Sequence, residues 1–132
     1  MKLPYDEPPL SDLAGQCVLI VEDEVLIAMD LADAFEAAGA SVHHARNLAQ
    51  GMALAETKAI DAAVLDVNLG RGETCAPIAA HLTDRGIPFA VHSGDYEGTG
   101  ELDSSIDVPL VRKPADTHAV VQAVVRLLDR AG

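Results

Sequence analysis

The feature that most constrains this sequence is a regular alternation of short, continuous apolar runs with segments of helical periodicity. The run CVLIV at 17–21 is typical of a strand that is buried on both faces. The segment after it places Ile27, Leu31 and Phe35 on one helical face and ends at Gly39, a common helix terminator. Strands that alternate with helices predict a parallel sheet covered by helices on both faces, because crossover connections are right-handed.

The same alternation continues along the chain. Further strands are predicted at 40–45, 62–66, 89–93 and 108–113. Helices are predicted from the apolar stripes Leu48/Met52/Ala55, Cys75/Ile78/Leu82 and Val120/Val124/Leu127/Leu128. Segment 95–107 contains two glycines and little to bury, so we expect the fourth helix to be short or degenerate. The predicted fold is an α/β domain with a doubly wound, five-stranded parallel sheet.

The sequence predicts one domain at residues 15–132, preceded by an N-terminal lead-in at residues 1–14. The lead-in is polar and carries three prolines, so we expect it to be partly disordered. No apolar stretch is long enough for a signal peptide or a membrane-spanning helix, which predicts a cytoplasmic protein. The two cysteines, Cys17 and Cys75, match no metal-binding spacing and are interpreted as reduced, packed thiols.

The charge of the chain excludes two classes of partner. The formal net charge is -12, whereas nucleic-acid binders need a basic surface to neutralise phosphates. Anionic membranes would repel such a chain for the same reason. We therefore expect no nucleic-acid and no membrane partner, and instead protein partners or cations.

Polar residues stand at the ends of four of the five predicted strands. Glu22 and Asp23 follow the first strand, Asp66 ends the third, Ser93 ends the fourth and Lys113 ends the fifth. In sheets of this kind, ligands bind beyond the carboxyl ends of the strands. Each group alone has a plain structural explanation, such as an acidic pair at a helix N-terminus or a turn aspartate. Their joint occurrence at strand ends predicts one shared site.

The chemistry of that set is the chemistry of phosphoryl transfer. Three carboxylates in one pocket repel one another unless a cation is present, and oxygen ligands of this type suit Mg²⁺. With the metal in place, one carboxylate is available as a nucleophile. Lys113 supplies a positive charge and Ser93 a hydroxyl for the phosphoryl oxygens. The predicted function is transfer of a phosphoryl group to a carboxylate.

Over about residues 16 to 131, the sequence resembles the response-regulator receiver family, of the CheY type. VLIVEDE carries the family's acidic pair as Glu22 and Asp23, and VLDVNLG carries its phosphoacceptor as Asp66. HSG carries the switch hydroxyl as Ser93, and RKP carries the lysine as Lys113.

The resemblance implies a flavodoxin-like (βα)5 fold and a Mg²⁺ site made by Glu22, Asp23, Asp66 and the backbone carbonyl of Asn68. It also implies that a histidine kinase or a histidine phosphotransfer protein donates the phosphoryl group, and that an output protein, not identified by the sequence, reads the result. The family is not enzymatic, although its members assist their own phosphorylation and dephosphorylation. With no output domain before Gly132, the chain is similar to stand-alone receivers.

One position departs from the family, and two other readings compete. Receivers usually have an aromatic residue three positions before the lysine, where this chain has Leu110; the usual aromatic switch is therefore not expected.

A phosphorylation-independent adaptor of the same fold would be recognised by loss of the acceptor or the lysine, and both are present. A hydrolase of the haloacid dehalogenase type would need a second aspartate where Asn68 stands.

Overall fold

A computed structural model describes residues 12–93, 109–113 and 116–131. Within these ranges the chain forms seven strands and four helices. In chain order they are β1 (Cys17–Val21), α1 (Val25–Ala37), β2 (Ser41–Ala45), α2 (Leu48–Thr57), β3 (Ala62–Leu65), β4 (Asn68–Gly70), β5 (Glu73–Thr74), α3 (Ala76–Asp84), β6 (Phe89–Ser93), β7 (Leu110–Arg112) and α4 (Thr117–Ala131).

Five of the strands form one parallel sheet in the order β2-β1-β3-β6-β7. The predicted doubly wound, flavodoxin-like α/β fold is therefore confirmed. The chain moves from β1 outward to β2 and then crosses to β3 on the other side of β1. This reversal places the switch point of the sheet between the carboxyl ends of β1 and β3, where Val21 pairs with Leu65.

An apolar layer lies on each face of the sheet. One layer joins the sheet to α2 and α3 through side chains such as Ala55 and Ile78. The other joins it to α1 and α4 through Phe35 and Val124. Helices α2 and α3 approach closely at Gly51, where an added Cβ would lie 2.6 Å from the Cδ1 atom of Ile78. A glycine at this position therefore permits the observed contact between the two helices.

Several local predictions have a direct structural counterpart. The side chain of Asn47 caps α2 by accepting a hydrogen bond from the Gln50 amide at 2.9 Å, and Gln50 Oε1 accepts one from the Arg46 amide. Helix α3 carries a proline in its first turn, as predicted for Pro77. Cys75 lies at the N-cap of α3 and not inside the helix. These caps set where α2 and α3 begin relative to the strand ends.

Two predictions concern segments at the margin of the described chain. Leu13, in the predicted lead-in, is fully buried, and its amide donates to the Ala38 carbonyl at 2.9 Å. The rest of the lead-in up to residue 11, and segment 95–107 with the expected short fourth helix, lie outside the described residues. None of the described helices combines the length and the apolar character needed to cross a membrane.

Strands β4 and β5 form an antiparallel hairpin after β3 that was not predicted from the sequence. Its tip consists of Gly70, Arg71 and Gly72, which all have positive φ angles of 82°, 55° and 76°. Three successive residues in the left-handed region turn the chain sharply, and glycine is the residue that tolerates this conformation best. The hairpin extends the chain beyond the carboxyl edge of the sheet.

Candidate functional site at the carboxyl edge of the sheet

Two carboxylates emerge side by side from the switch point of the sheet. Glu22 directly follows β1, and Asp66 directly follows the neighbouring β3. The Asp66 amide donates to the Val21 carbonyl at 2.9 Å, so the pairing of the two strands continues to the first residue of the site. Glu22 is 1% exposed and Asp66 is 5% exposed. Both acidic groups are therefore as deeply buried as the apolar core, although burial disfavours their charged forms.

Asp23 completes a cluster of three carboxylates. One carboxylate oxygen from each of Glu22, Asp23 and Asp66 lies within 4.8 Å of the others. Hard divalent cations such as Mg²⁺ and Ca²⁺ bind clustered carboxylate oxygens of this kind. Asn68, the predicted carbonyl ligand, begins β4 two residues after Asp66 and is exposed. The donor set therefore fits a divalent metal at the mouth of a buried acidic pocket.

Lys113, which directly follows β7, brings a positive charge into this pocket. Its amide donates to the Ser93 carbonyl at 2.9 Å, which continues the pairing of β7 with β6. Its Nζ atom lies 2.9 Å from Oε2 of Glu22 and 3.2 Å from Oδ2 of Asp66. It also lies 3.3 Å from Oε2 of Glu24, a carboxylate that is largely exposed. One ammonium group therefore contacts three carboxylates from two different strand ends.

The proximity of these charges changes their acidity. Burial is the largest effect on Asp66 and the charge of Glu22 is the next, and both raise its pKa. The Lys113 ammonium lowers the pKa, but the net result is a rise from 3.8 to about 8. For Lys113, burial favours the neutral form, but the hydrogen bond to Glu22 and the charge of Asp66 outweigh it and raise the pKa. In the absence of a metal, Asp66 therefore holds a proton at pH values where a free aspartate is ionised.

The end of β6 supplies two further buried polar residues. Ser93, the predicted hydroxyl donor, is buried at the last position of the strand. His92 precedes it and is also buried, and neither of its ring nitrogens has a hydrogen-bond partner among the described residues. Burial and the nearby Lys113 charge lower the pKa of His92 to about 4. This histidine is therefore neutral at physiological pH.

The structure brings Glu22, Asp23, Asp66 and Lys113 into direct proximity and places Ser93 on the adjoining strand end. Leu110, which stands where receivers usually have an aromatic residue, begins the edge strand β7 and is 41% exposed.

Glu24, which pairs with Lys113, was not among the predicted site residues. The signal for it was present, since the acidic run after β1 extends to three residues.

A groove lies beside the site and was not predicted from the sequence. It has a volume of about 560 Å³ and lies between the start of α2 and the β4–β5 hairpin, and it is lined by Asp23, Arg46, Asn47, Ala49, Gln50, Leu69, Gly70, Arg71 and Glu73. No sequence signal could have found it, because the groove depends on the unpredicted hairpin.

Comparison with known proteins yields one matching family and several similar chains. The model of the family described as "Response regulator receiver domain" matches residues 18–85. The acid tolerance regulatory protein ActR of Sinorhizobium medicae is 30% identical over 124 residues, which cover 88% of this chain. The match spans 62% of the length of that relative.

Two solved structures have the same fold. The solution structure of SdrG from Sphingomonas melonis is 40% identical, covers 89% of this chain and 98% of that chain, and has a TM-score of 0.73. A response regulator protein from Burkholderia pseudomallei, solved with a phosphorylated aspartic acid, a calcium ion and citrate, is 20% identical, with a TM-score of 0.74. The match covers 88% of this chain and 70% of the Burkholderia chain. At this identity, the likeness concerns the fold alone.

The family match covers more than half of the chain, and it includes both strands that end in the buried carboxylates. Receivers of this family are phosphorylation switches and not enzymes. The chain therefore belongs to the response regulator receiver domain family and takes part in two-component signalling.

Proposed function

We propose that this protein accepts a phosphoryl group on Asp66 in a Mg²⁺-dependent reaction and thereby switches its interactions with other proteins. The observation that carries the proposal is the contact between the Lys113 ammonium and Asp66, 3.2 Å apart, in a pocket that also holds Glu22 and Asp23. A buried carboxylate between a cation and two acidic neighbours matches the needs of a nucleophile in phosphoryl transfer.

The metal would be held by the carboxylates of Glu22, Asp23 and Asp66 and by the backbone carbonyl of Asn68. When bound, Mg²⁺ neutralises the acidic cluster and the charge of the incoming phosphoryl group. The three carboxylates support this assignment, since their oxygens lie within 4.8 Å of one another. A lysine already pairs with two of them, which shows how strongly the pocket favours positive charge.

The protein residues have distinct roles in the transfer. An Asp66 carboxylate oxygen attacks phosphorus, and the bond from phosphorus to the donor's histidine nitrogen breaks, so that the donor's imidazole leaves. Lys113 pairs with one phosphoryl oxygen and the Ser93 hydroxyl donates to another. Asp66 must be ionised to attack, and the Lys113 charge acts in that direction by lowering its pKa.

The proposed donor is a histidine kinase or a histidine phosphotransfer protein, and an output protein would read the phosphorylated state. Membership of the family supports both partners in general terms. Position 110 carries a leucine and not an aromatic residue, which argues against the inward movement of an aromatic side chain that is usual in receivers. We propose a cytoplasmic location and the ability to use a small phosphodonor in place of a protein.

Labelling with acetyl phosphate tests the acceptor and the metal together. The intact chain should gain one phosphoryl group in Mg²⁺, detected by its mass, and none in EDTA. Asp66→Asn should abolish the gain. The control is Asp84→Asn, which changes an exposed aspartate at the end of α3 and should label like the original chain. Equal labelling of the Asp66→Asn variant would show that Asp66 is not the acceptor.

A further inference from the structure

We propose that Arg46 and Arg71 bind acidic side chains of the protein that donates the phosphoryl group. The two arginines line the groove between the start of α2 and the β4–β5 hairpin. The inference rests on the proposed function, because it assigns a contact surface to the donor of that reaction. It concerns recognition of the donor and not the chemistry at Asp66.

The groove adjoins the acidic pocket that a donor protein must approach. Asp23 lines both the groove and the acidic pocket. The hairpin tip lies close to this residue, since an added Cβ on Gly70 would be 3.6 Å from Oδ2 of Asp23. Asp66 is only 5% exposed, so a phosphohistidine reaches it only if the donor surface covers the rim of the pocket. Arg46 and Arg71 line the groove that shares Asp23 with this pocket, so we place them at its rim.

The charge of the groove selects the chemistry of its occupant. Arg46 and Arg71 are exposed, and neither forms an ion pair with a residue that the structure describes. Of the first-turn amides of α2, Asn47 caps that of Gln50, and the positive end of the helix dipole still adds positive potential at Ala49, which lines the groove. Asp23 and Glu73 are the opposing charges, and the proposed metal neutralises Asp23. On a chain of net charge -12, these are two cations without an ion-pair partner among the described residues, and carboxylates of a partner protein complement them.

The backbone of Arg71 supports a role for its side chain outside the fold. Its φ angle of 55° lies in the left-handed region, and it stands between two glycines with positive φ. Glycine would adopt this conformation without the steric cost that an arginine incurs. The Arg71 side chain forms no hydrogen bond or ion pair with the described residues that offsets the cost. Strain at the rim of a site is the kind of observation that indicates a functional contact.

A comparison of two phosphodonors tests the inference. Phosphorylated histidine kinases and histidine phosphotransfer proteins encoded in the source genome are screened, and the fastest donor is used beside acetyl phosphate. In the double variant Arg46→Glu/Arg71→Glu, the ratio of the protein-donor rate to the acetyl-phosphate rate should fall by about tenfold or more, and less at high salt. The control Arg85→Glu makes one such charge reversal at the C-cap of α3, away from the groove, and should leave the ratio unchanged, whereas Arg71→Glu alone should lower it.

A second variant separates recognition from folding. Arg71→Gly removes the charge and relieves the left-handed strain, so its free energy of unfolding should equal or exceed that of the original chain. Its ratio of donor rates should nevertheless fall, and Arg71→Lys should retain part of the ratio. An unchanged ratio in the double variant overturns the inference, as does a screen in which no histidine-phosphorylated protein labels the chain. Neither result contradicts the proposed acceptor role as long as acetyl phosphate still labels Asp66. If acetyl phosphate does not label Asp66, the acceptor role itself is wrong.

Discussion

The strands of the central sheet have two parts that are equally buried and chemically opposite. The bodies of β1 and β3 are apolar, and Val18 to Val21 and Ala62 to Leu65 are at most 1% exposed. The residue that directly follows each strand carries a carboxylate and is almost as inaccessible to solvent: Glu22 after β1 and Asp66 after β3. Burial stabilises the fold in the strand bodies, whereas it works against the charged groups at the strand ends. The carboxyl edge of the sheet therefore carries buried charge that costs stability instead of adding to it.

The largest expected effect is in the apolar part of the molecule. Phe35→Ala removes a fully buried side chain between α1 and the sheet. The free energy of unfolding should fall by about 3–5 kcal/mol, because the variant loses apolar burial and leaves a cavity. Urea unfolding followed by circular dichroism measures the change. A loss below about 1 kcal/mol would mean that this layer is not the well-packed core described here.

Removal of the central cation should give the next largest effect. Lys113→Met leaves Glu22 and Asp66 buried without their cation, and we expect a loss of about 2–3 kcal/mol at pH 8 in EDTA. Lys58→Met, at an exposed lysine after α2, should change stability by less than about 0.5 kcal/mol. If the double variant Lys113→Met/Asp66→Asn is as unstable as Lys113→Met alone, the burial of Asp66 without its cation is not the cause.

Neutralising the acceptor should have the opposite sign. Asp66 ionises near its ordinary pKa of 3.8 in the unfolded chain and near 8 in the folded, metal-free protein. The folded state holds the proton more tightly, so the stability contributed by Asp66 is present below pH 3.8 and is lost as the pH rises towards 8. Asp66→Asn should therefore be more stable than the original chain by about 1–2 kcal/mol at pH 8 in EDTA. Urea unfolding at several pH values would refute this if the two proteins gave parallel curves.

The smallest expected effect is at His92. Its pKa is about 4 in the folded protein, below the ordinary value of 6.5. The unfolded chain therefore takes up a proton first, and the stability from His92 is lost as the pH falls from 6.5 towards 4. His92→Leu should remove this loss and raise stability by about 1 kcal/mol at pH 5, with a smaller gain at pH 7. A variant that is less stable at both pH values would show that the imidazole makes a stabilising contact.

The sequence predicted the apolar part of the sheet well, for a physical reason. A strand covered on both faces must be continuously apolar, so CVLIV marks β1 directly. The first polar residue after such a run marks the strand end, which located Glu22 and Asp66, whereas Ser93 ends a run in which His92 is already polar. Parallel strands bring these ends to one edge, so the order of the elements predicts that Glu22 and Asp66 lie near each other, as they do.

The remaining features depend on side-chain reach and on short elements. Strands β4 and β5 have three and two residues, which is too short for a periodic signal. The groove and the role of Arg71 could not be predicted without them. Glu24 takes part only because the long Lys113 side chain reaches it, and the sequence does not show in which direction that side chain extends.

The central claim is that the buried carboxylates at the carboxyl edge are maintained for a divalent cation and a phosphoryl group. The most direct test is the free energy of unfolding measured with and without Mg²⁺, at pH 8 and at pH 5. A proton on Asp66 competes with the metal for the carboxylate. Saturating Mg²⁺ should therefore stabilise the chain by about 2–3 kcal/mol at pH 8 and by much less at pH 5. In an Asp23→Asn variant, Mg²⁺ should add little stability at either pH. Equal stabilisation at both pH values, or full stabilisation of Asp23→Asn, would contradict the claim.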